Sequence, residues 1–207
     1  MGIVYLDSRY GISTADISTG EFLVTEVESD RELFDEINKF SPSEIICNNA
    51  FYVSGVDLDE LKNRYQVAIS ALDSHFFSDE SCKKVLKEHF KVGSLSGLGL
   101  DDYPTGVIAA GAVMEYMYET QKSTLEHITT ITPYSTGQYM VIDTSTRRNL
   151  ELVETMREKQ KRGTLLWVLD KTKTAMGARL LRNYIEQPLI HKNEILRRQD
   201  AVEELNM

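Results

Sequence analysis

The chain has 207 residues, 42% hydrophobic and 27% charged, and contains no apolar run of about 18 residues and no opening secretory signal, which excludes a membrane-spanning helix and points to a cytoplasmic protein. Its two cysteines, Cys47 and Cys82, stand alone without C-x-x-C spacing, so neither a disulfide framework nor a zinc site is expected. The net charge of −9 is uneven: residues 1–125 carry 10 Lys/Arg against 21 Asp/Glu and residues 126–207 carry 13 against 11, so an acidic front half excludes a nucleic-acid binder working by bulk charge.

Taken in order, Ile3–Asp7, Tyr10–Ile17 and Glu21–Val27 are runs of strand formers. A Ser8-Arg9 turn and a Ser18-Thr19-Gly20-Glu21 turn join them into an antiparallel meander. Ser29 or Asp30 caps a helix whose Leu33, Phe34, Ile37 and Phe40 share one face, and Ser41-Pro42 ends it. Glu44–Asn48 is a short buried strand, Val56–Arg64 a helix and Gln66–Ala71 another strand. A helix over Asp79–Phe90 follows, then a glycine-rich loop, then a strongly apolar helix opened by Pro104 and running to Gln121. This order predicts an α/β domain with an antiparallel start and helical crossovers.

Asp143 or Thr144 can cap a helix carrying Leu150 and Val153. Thr164–Gln187 is helix-compatible throughout, and Pro188 stops it. About 24 residues at about 1.5 Å rise make a rod of roughly 36 Å. Trp167 is expected in the packing between helices, and Gly177, at mid-helix, as the point where another helix crosses closely. A last helix starts near Asn193 with Ile195, Val202 and Leu205 on one face. Little sequence remains to cover that face, so exposed apolar surface and self-association are expected.

The words themselves carry more than the periodicity. D-T-S-T-R-R-N-L-E-L over 143–152, L-L-W-V-L-D-K-T-K-T-A-M-G-A-R-L-L-R over 165–182 and Q-P-L over 187–189 resemble the start of the helical core, or lever, domain of bacterial MutS, the DNA mismatch-recognition ATPase. Y-G-I-S-T-A-D-I-S-T-G-E-F over 10–22, F-S-P-S-E-I-I over 40–46 and P-T-G-V-I-A-A-G-A-V-M-E-Y-M over 104–117 resemble its connector domain. The resemblance implies a ribonuclease-H-like α/β connector over 1–125, followed by an incomplete all-α helical domain over 126–207. It implies a fragment without catalysis of its own that couples mismatched-DNA binding to a remote ATPase domain and offers a surface to MutL. ATP and magnesium would belong to the full-length parent. Partners would be the remaining MutS domains, a second MutS copy, MutL, and mismatched DNA through the whole protein.

Each candidate for chemistry has a plain alternative. A ribonuclease-H-type nuclease would need a carboxylate cluster, and Asp7, Asp16, Asp73, Asp101 and Asp102 are the acids available; they are expected to be turn and capping residues. The loop Gly93–Gly99 lacks the Lys-Ser/Thr ending of a phosphate loop, so no ATP site is expected. Phe34-Asp35-Glu36 spells the family's F-x-E mismatch motif, but that motif belongs to a domain ahead of the connector, and Phe34 fits a helix face. His75, His89, His127 and His191 have no metal-ligand spacing. Arg147, Arg148, Lys161 and Arg162 are candidate weak phosphate contacts, yet Glu151, Glu154 and Glu158 interleave with the basic run at helical spacing and favour intrahelical pairing. Lys84 and Lys87, on the Asp79–Phe90 helix, are the candidate MutL surface. A stand-alone interaction module unrelated to repair is the remaining reading.

Overall fold

The computed structural model describes residues 1–65, 67–121, 125–140, 142 and 144–206. The chain forms two compact units, Met1–Thr136 and Gly137–Met207.

In the first unit, β1 (Gly2–Leu6), β2 (Arg9–Asp16) and β3 (Glu21–Val27) make the expected meander. Leu6 pairs with Arg9, so the turn residues are Asp7 and Ser8 rather than Ser8 and Arg9, and both take positive φ, 48° and 62°. That is the conformation of a two-residue hairpin whose twist matches its strands. Helix α1 (Asp30–Phe40) starts with a reciprocal capping box between Ser29 and Glu32 and ends with Ser41 in the left-handed region, one residue before the proline. Strands β4 (Glu44–Cys47) and β5 (Ala68–Ala71) then add in parallel beyond β1. Between them lie α2 (Asn49–Tyr52), a single capped turn that sequence reading missed, and α3 (Leu58–Tyr65). Helices α4 (Asp79–Phe90) and α5 (Pro104–Gln121) complete the unit.

The resemblance places residues from 126 onward in the helical domain, yet the segment up to Thr136 packs in this unit. Leu125, Ile128 and Ile131 are buried with Met114 and Met117 of α5, and β6 (Thr132–Pro133) pairs in parallel with Leu23 and Val24 of β3. The sheet order is therefore β5-β4-β1-β2-β3-β6.

Strand alternation divides the core between the two faces of this sheet. Ile3, Tyr10, Ile12, Val27 and Ile45 pack with Leu33 and Ile37 of α1 and Leu61 of α3. Phe22, Val24 and Ile46 pack with α4 and α5 on the other face. Helix α5 is apolar nearly all round because the sheet and α4 both cover it. Glycines permit that approach: a side chain at Gly11 would meet the Thr105 carbonyl at 2.3 Å, and one at Gly111 would meet Cys82 Cβ at 2.3 Å.

The second unit is built from α6 (Thr144–Asn149), α7 (Leu165–Leu169), α8 (Ala175–Glu186) and α9 (Lys192–Leu205). Four expectations are corrected here. The helix expected to carry Leu150 and Val153 stops at Asn149, because Glu151 takes φ 47°; Leu150 is exposed and Leu152 is the buried residue instead. Asp143, the alternative cap, lies outside the described residues.

The long rod is two helices. Asp170 leaves α7 with ψ 99° and Thr174 opens α8 by accepting the Gly177 N–H. Gly177 thus sits in the first turn of α8, not at mid-helix. The atoms nearest its missing side chain are Thr174 Oγ1 and the Thr172 methyl end, so it accommodates its own cap rather than a crossing helix. Trp167 is 48% exposed while its neighbour Leu166 is buried, because a five-residue helix buries a single side chain here. Pro188 does follow the end of α8 at Glu186, and its carbonyl accepts the Met140 N–H at 2.8 Å.

Candidate functional site

Helix α4 presents the first candidate surface. Cys82 and Leu86 turn inward against α5, and Val85 is partly buried. The same periodicity puts Lys84 and Glu88 outward, 3.9 Å apart, with Lys87 half-buried beside them and Lys83 paired with Asp79 at 2.8 Å. Acids at the first turn and Lys87 and His89 at the last suit the helix dipole. Exposed ion pairs of this kind add little stability, so this face is open to change without loss of fold.

The second feature is the fastening of the segment that leaves the first unit, which sequence reading missed. His89 Nε2 donates to the Ile128 carbonyl at 2.7 Å, and Nδ1 is hydrogen-bonded to the Tyr118 hydroxyl at 2.6 Å. One side chain of α4 therefore binds α5 and the exit segment together. His127 bonds the Ile17 carbonyl at 2.6 Å. Further on, Thr25 donates to the Tyr134 carbonyl at 2.7 Å, and the Tyr134 hydroxyl donates to buried Glu36 of α1. Lys39 completes that group, 3.1 Å from Glu36 and 4.1 Å from the Tyr134 ring centroid. Burial lowers its pKa and the Glu36 carboxylate opposes the fall. Lone histidines and tyrosines without motif spacing gave no sequence signal of this.

His89→Phe is expected to cost about 1–3 kcal/mol, because it leaves the Ile128 carbonyl and Tyr118 hydroxyl without their partner. Amide exchange over 125–131 should accelerate more than exchange in β1 or β2. Equal acceleration in all three would show that His89 does not hold the exit segment.

The basic candidates of the second unit divide into two kinds. Arg147 lies 3.7 Å from Glu186 and is 15% exposed, and Lys161 pairs with Asp170. Arg148 and Arg162 are exposed. The intrahelical pairing expected with Glu151, Glu154 and Glu158 has no helix to support it: Glu151 instead accepts the Met156 N–H.

Asp170 organises the α7–α8 turn. Lys161, together with the Thr172 hydroxyl at 2.6 Å and the Thr172 N–H at 3.1 Å, lowers its pKa to about 2. A depressed value means that these ties are complete above the ordinary carboxylate range and are lost as pH falls through about 2. The Thr172 amide resonance should hold its position at pH 5 and move as the pH approaches that value. A midpoint near the ordinary carboxylate value of about 3.9 would contradict the arrangement.

The acidic candidates are not gathered. Asp7 occupies the β1–β2 turn, Asp16 binds Ser18 at 2.5 Å, and Asp101 accepts from Ser96 at 2.9 Å. Among the described residues no three His, Cys, Asp or Glu side chains are grouped to hold a metal. The glycine loop forms a 3-10 turn, Leu95–Leu98, capped by Ser94 and closed by Gly99 at φ 72°. Phe34 packs on the core of α1 and Glu36 serves Lys39 and Tyr134, so Phe34-Asp35-Glu36 is spent on the helix. Both thiols are buried, and burial raises Cys47 to about 11 and Cys82 to about 12. Among the described residues no helix is long and apolar enough to cross a membrane.

A mixed-sheet α/β unit followed by a helical unit with an exposed apolar face defines a pair of structural domains. The sequence model of MutS domain II matches residues 3–129 and that of MutS domain III matches residues 145–207. The chain belongs to the MutS family, spanning these two domains. It is 62% identical over 206 residues to a DNA mismatch repair protein MutS of Lachnoclostridium phytofermentans, covering 100% of this chain and 22% of that protein. Matches of 45% identity join it to the MutS proteins of Ruminiclostridium cellulolyticum, with 95% of this chain and 22% of the relative covered, and Acetivibrio thermocellus, with 99% and 23%. The chain thus spans about a fifth of the length of the curated relatives that it matches.

Proposed function

We propose that this chain is the connector and lever segment of a DNA mismatch-recognition ATPase of the MutS type, and that its task is mechanical transmission. Mismatched DNA, ATP and magnesium are handled by other domains of the whole cytoplasmic protein, which works as a homodimer, and this segment couples them. The observation that carries the reading is the fastened exit: His89, Thr25 and Glu36 tie the segment 128–134 to α4, β3 and α1. A displacement felt by any of these elements is passed to the chain that continues into domain III.

The first unit is read as ribonuclease-H-like, supported by an antiparallel three-stranded meander with parallel β4 and β5 added beyond β1. Its five candidate acids serve turns and caps or lie apart, so the segment is read as contributing no chemistry of its own. In the second unit, Met176, Leu180 and Tyr184 of α8 and Val202 and Leu205 of α9 are exposed, and the rest of domain III would cover them.

The outward face of α4 is assigned to MutL. Lys84→Glu and Lys87→Glu in the full-length protein should weaken MutL binding about tenfold each, with mismatch binding and ATP hydrolysis unchanged. Undiminished MutL binding by both variants in a solution titration would remove α4 from the interface.

A further inference from the structure

The two edges of the sheet are finished differently. Beyond β3 lies β6, two residues long, and its Pro133 has no N–H to offer a further strand. At the other edge β5, Ala-Ile-Ser-Ala, has neither charge nor proline, the usual devices that stop an edge from pairing. It pairs on one side only, with β4. The Ala68 N–H reaches the Ser43 carbonyl at 3.4 Å and the Leu72 N–H reaches the Cys47 carbonyl at 3.0 Å. Alternation then turns the N–H and C=O of Ile69 and Ala71 away from the sheet. Among the described residues nothing bonds to them.

We infer that the β5 edge is a docking site for an extended, basic peptide segment of a partner protein, which adds to the sheet as a further strand. Strand addition uses main-chain bonds for affinity and alternate side chains for selection. The Ile69 side chain is partly buried in the core, so the main chain at this edge is held in place. Charge selects the occupant. Exposed Asp57 precedes α3 and exposed Asp59 lies in its first turn; α3 packs on β5, and exposed Asp73 follows the strand. Lys62 lies over the Tyr52 ring, 5.9 Å from its centroid, and over residues 57–73 the acids Asp57, Asp59, Glu60 and Asp73 outnumber the bases Lys62 and Arg64. A second copy of this chain would bring together two front halves that each carry 10 basic against 21 acidic residues, an unfavourable juxtaposition. A lysine-rich strand meets the opposite field.

The test uses the 207-residue chain and two synthetic octapeptides, one alternating Lys and Val and the other alternating Glu and Val. Amide exchange is followed residue by residue. The Lys-Val peptide should slow exchange at Ile69 and Ala71 at least tenfold, the Glu-Val peptide should not, and Ile69→Pro should weaken Lys-Val binding at least tenfold. The Ile69 N–H faces away from β4, so this variant leaves the ladder intact; the exchange pattern of the unmodified chain decides the matter should it fail to fold. Binding without protection at Ile69 and Ala71, equal protection by both peptides, or protection that grows with protein concentration alone would each overturn the proposal, the last in favour of self-association.

Discussion

Gly11→Val is expected to destabilise the α/β unit by about 3 kcal/mol or more, lowering its melting temperature by about 10 °C or more. A side chain at residue 11 meets the Thr105 carbonyl carbon and oxygen at 2.3 Å and the Gly106 nitrogen at 2.7 Å. All three are backbone atoms at the start of α5, so rotating a side chain cannot relieve the clash; the helix has to lift from β2. Lifting it also disturbs the close approach at Gly106, where a side chain would meet Val24 Cγ2 at 2.7 Å. Gly97→Ala is the control, since nothing lies within 4 Å of that position, and its effect should stay within about 0.5 kcal/mol. Thermal unfolding followed by circular dichroism separates the two cases. Equal melting temperatures for both variants would mean that α5 is not held as closely as described.

Glu26→Ala should cost about 3 kcal/mol. This carboxylate, 9% exposed on β3, accepts the Thr105 N–H at 2.6 Å and the Gly106 N–H at 2.9 Å. Two of the otherwise unpartnered amides at the start of α5 are thereby satisfied by a charged acceptor lying in the positive end of the helix field. Arg9 stands 3.9 Å away and is 52% exposed, so that ion pair contributes little. Removing the carboxylate leaves two part-buried donors without acceptors, each costing about 1–3 kcal/mol. Glu26→Gln keeps an acceptor oxygen and should cost about half as much. Urea unfolding of the two variants gives the order, and a glutamine variant as unstable as the alanine variant would show that the negative charge, not the retained acceptor oxygen, sets the loss.

These two positions show why part of the fold was legible in the sequence and part was not. The meander, α1, α4 and α5 follow from local signals: strand-forming runs between turn residues, a helix cap at Ser29 or Asp30, Pro104 at a helix start. Glu26 is an acid on a strand with no local pattern, and its partners are 79 and 80 residues away. The fastening through His89 and Tyr134 is equally non-local. In the second unit the helix-compatible sequence does form helix over Leu165–Leu169 and Ala175–Glu186, but a threonine cap at Thr174 and the Asp170 turn outweigh helix propensity and break the rod. Trp167 was misplaced for the same reason, since a continuous helix would have had a partner for it. Lys84 and Lys87 were located by the helix face alone, whereas the open β5 edge required the strand order.

The proposed transmission of movement through this segment is tested most directly by a distance measurement in the full-length protein. Spin labels on cysteines at Glu80 of α4 and Gln199 of α9 would place one probe on each unit, and the native Cys47 and Cys82 are buried and weakly reactive. On mismatched DNA, the distance distribution should shift between the nucleotide-free and ATP-bound states, and His89→Phe should broaden both distributions. Identical distributions in the two states would contradict transmission through this segment.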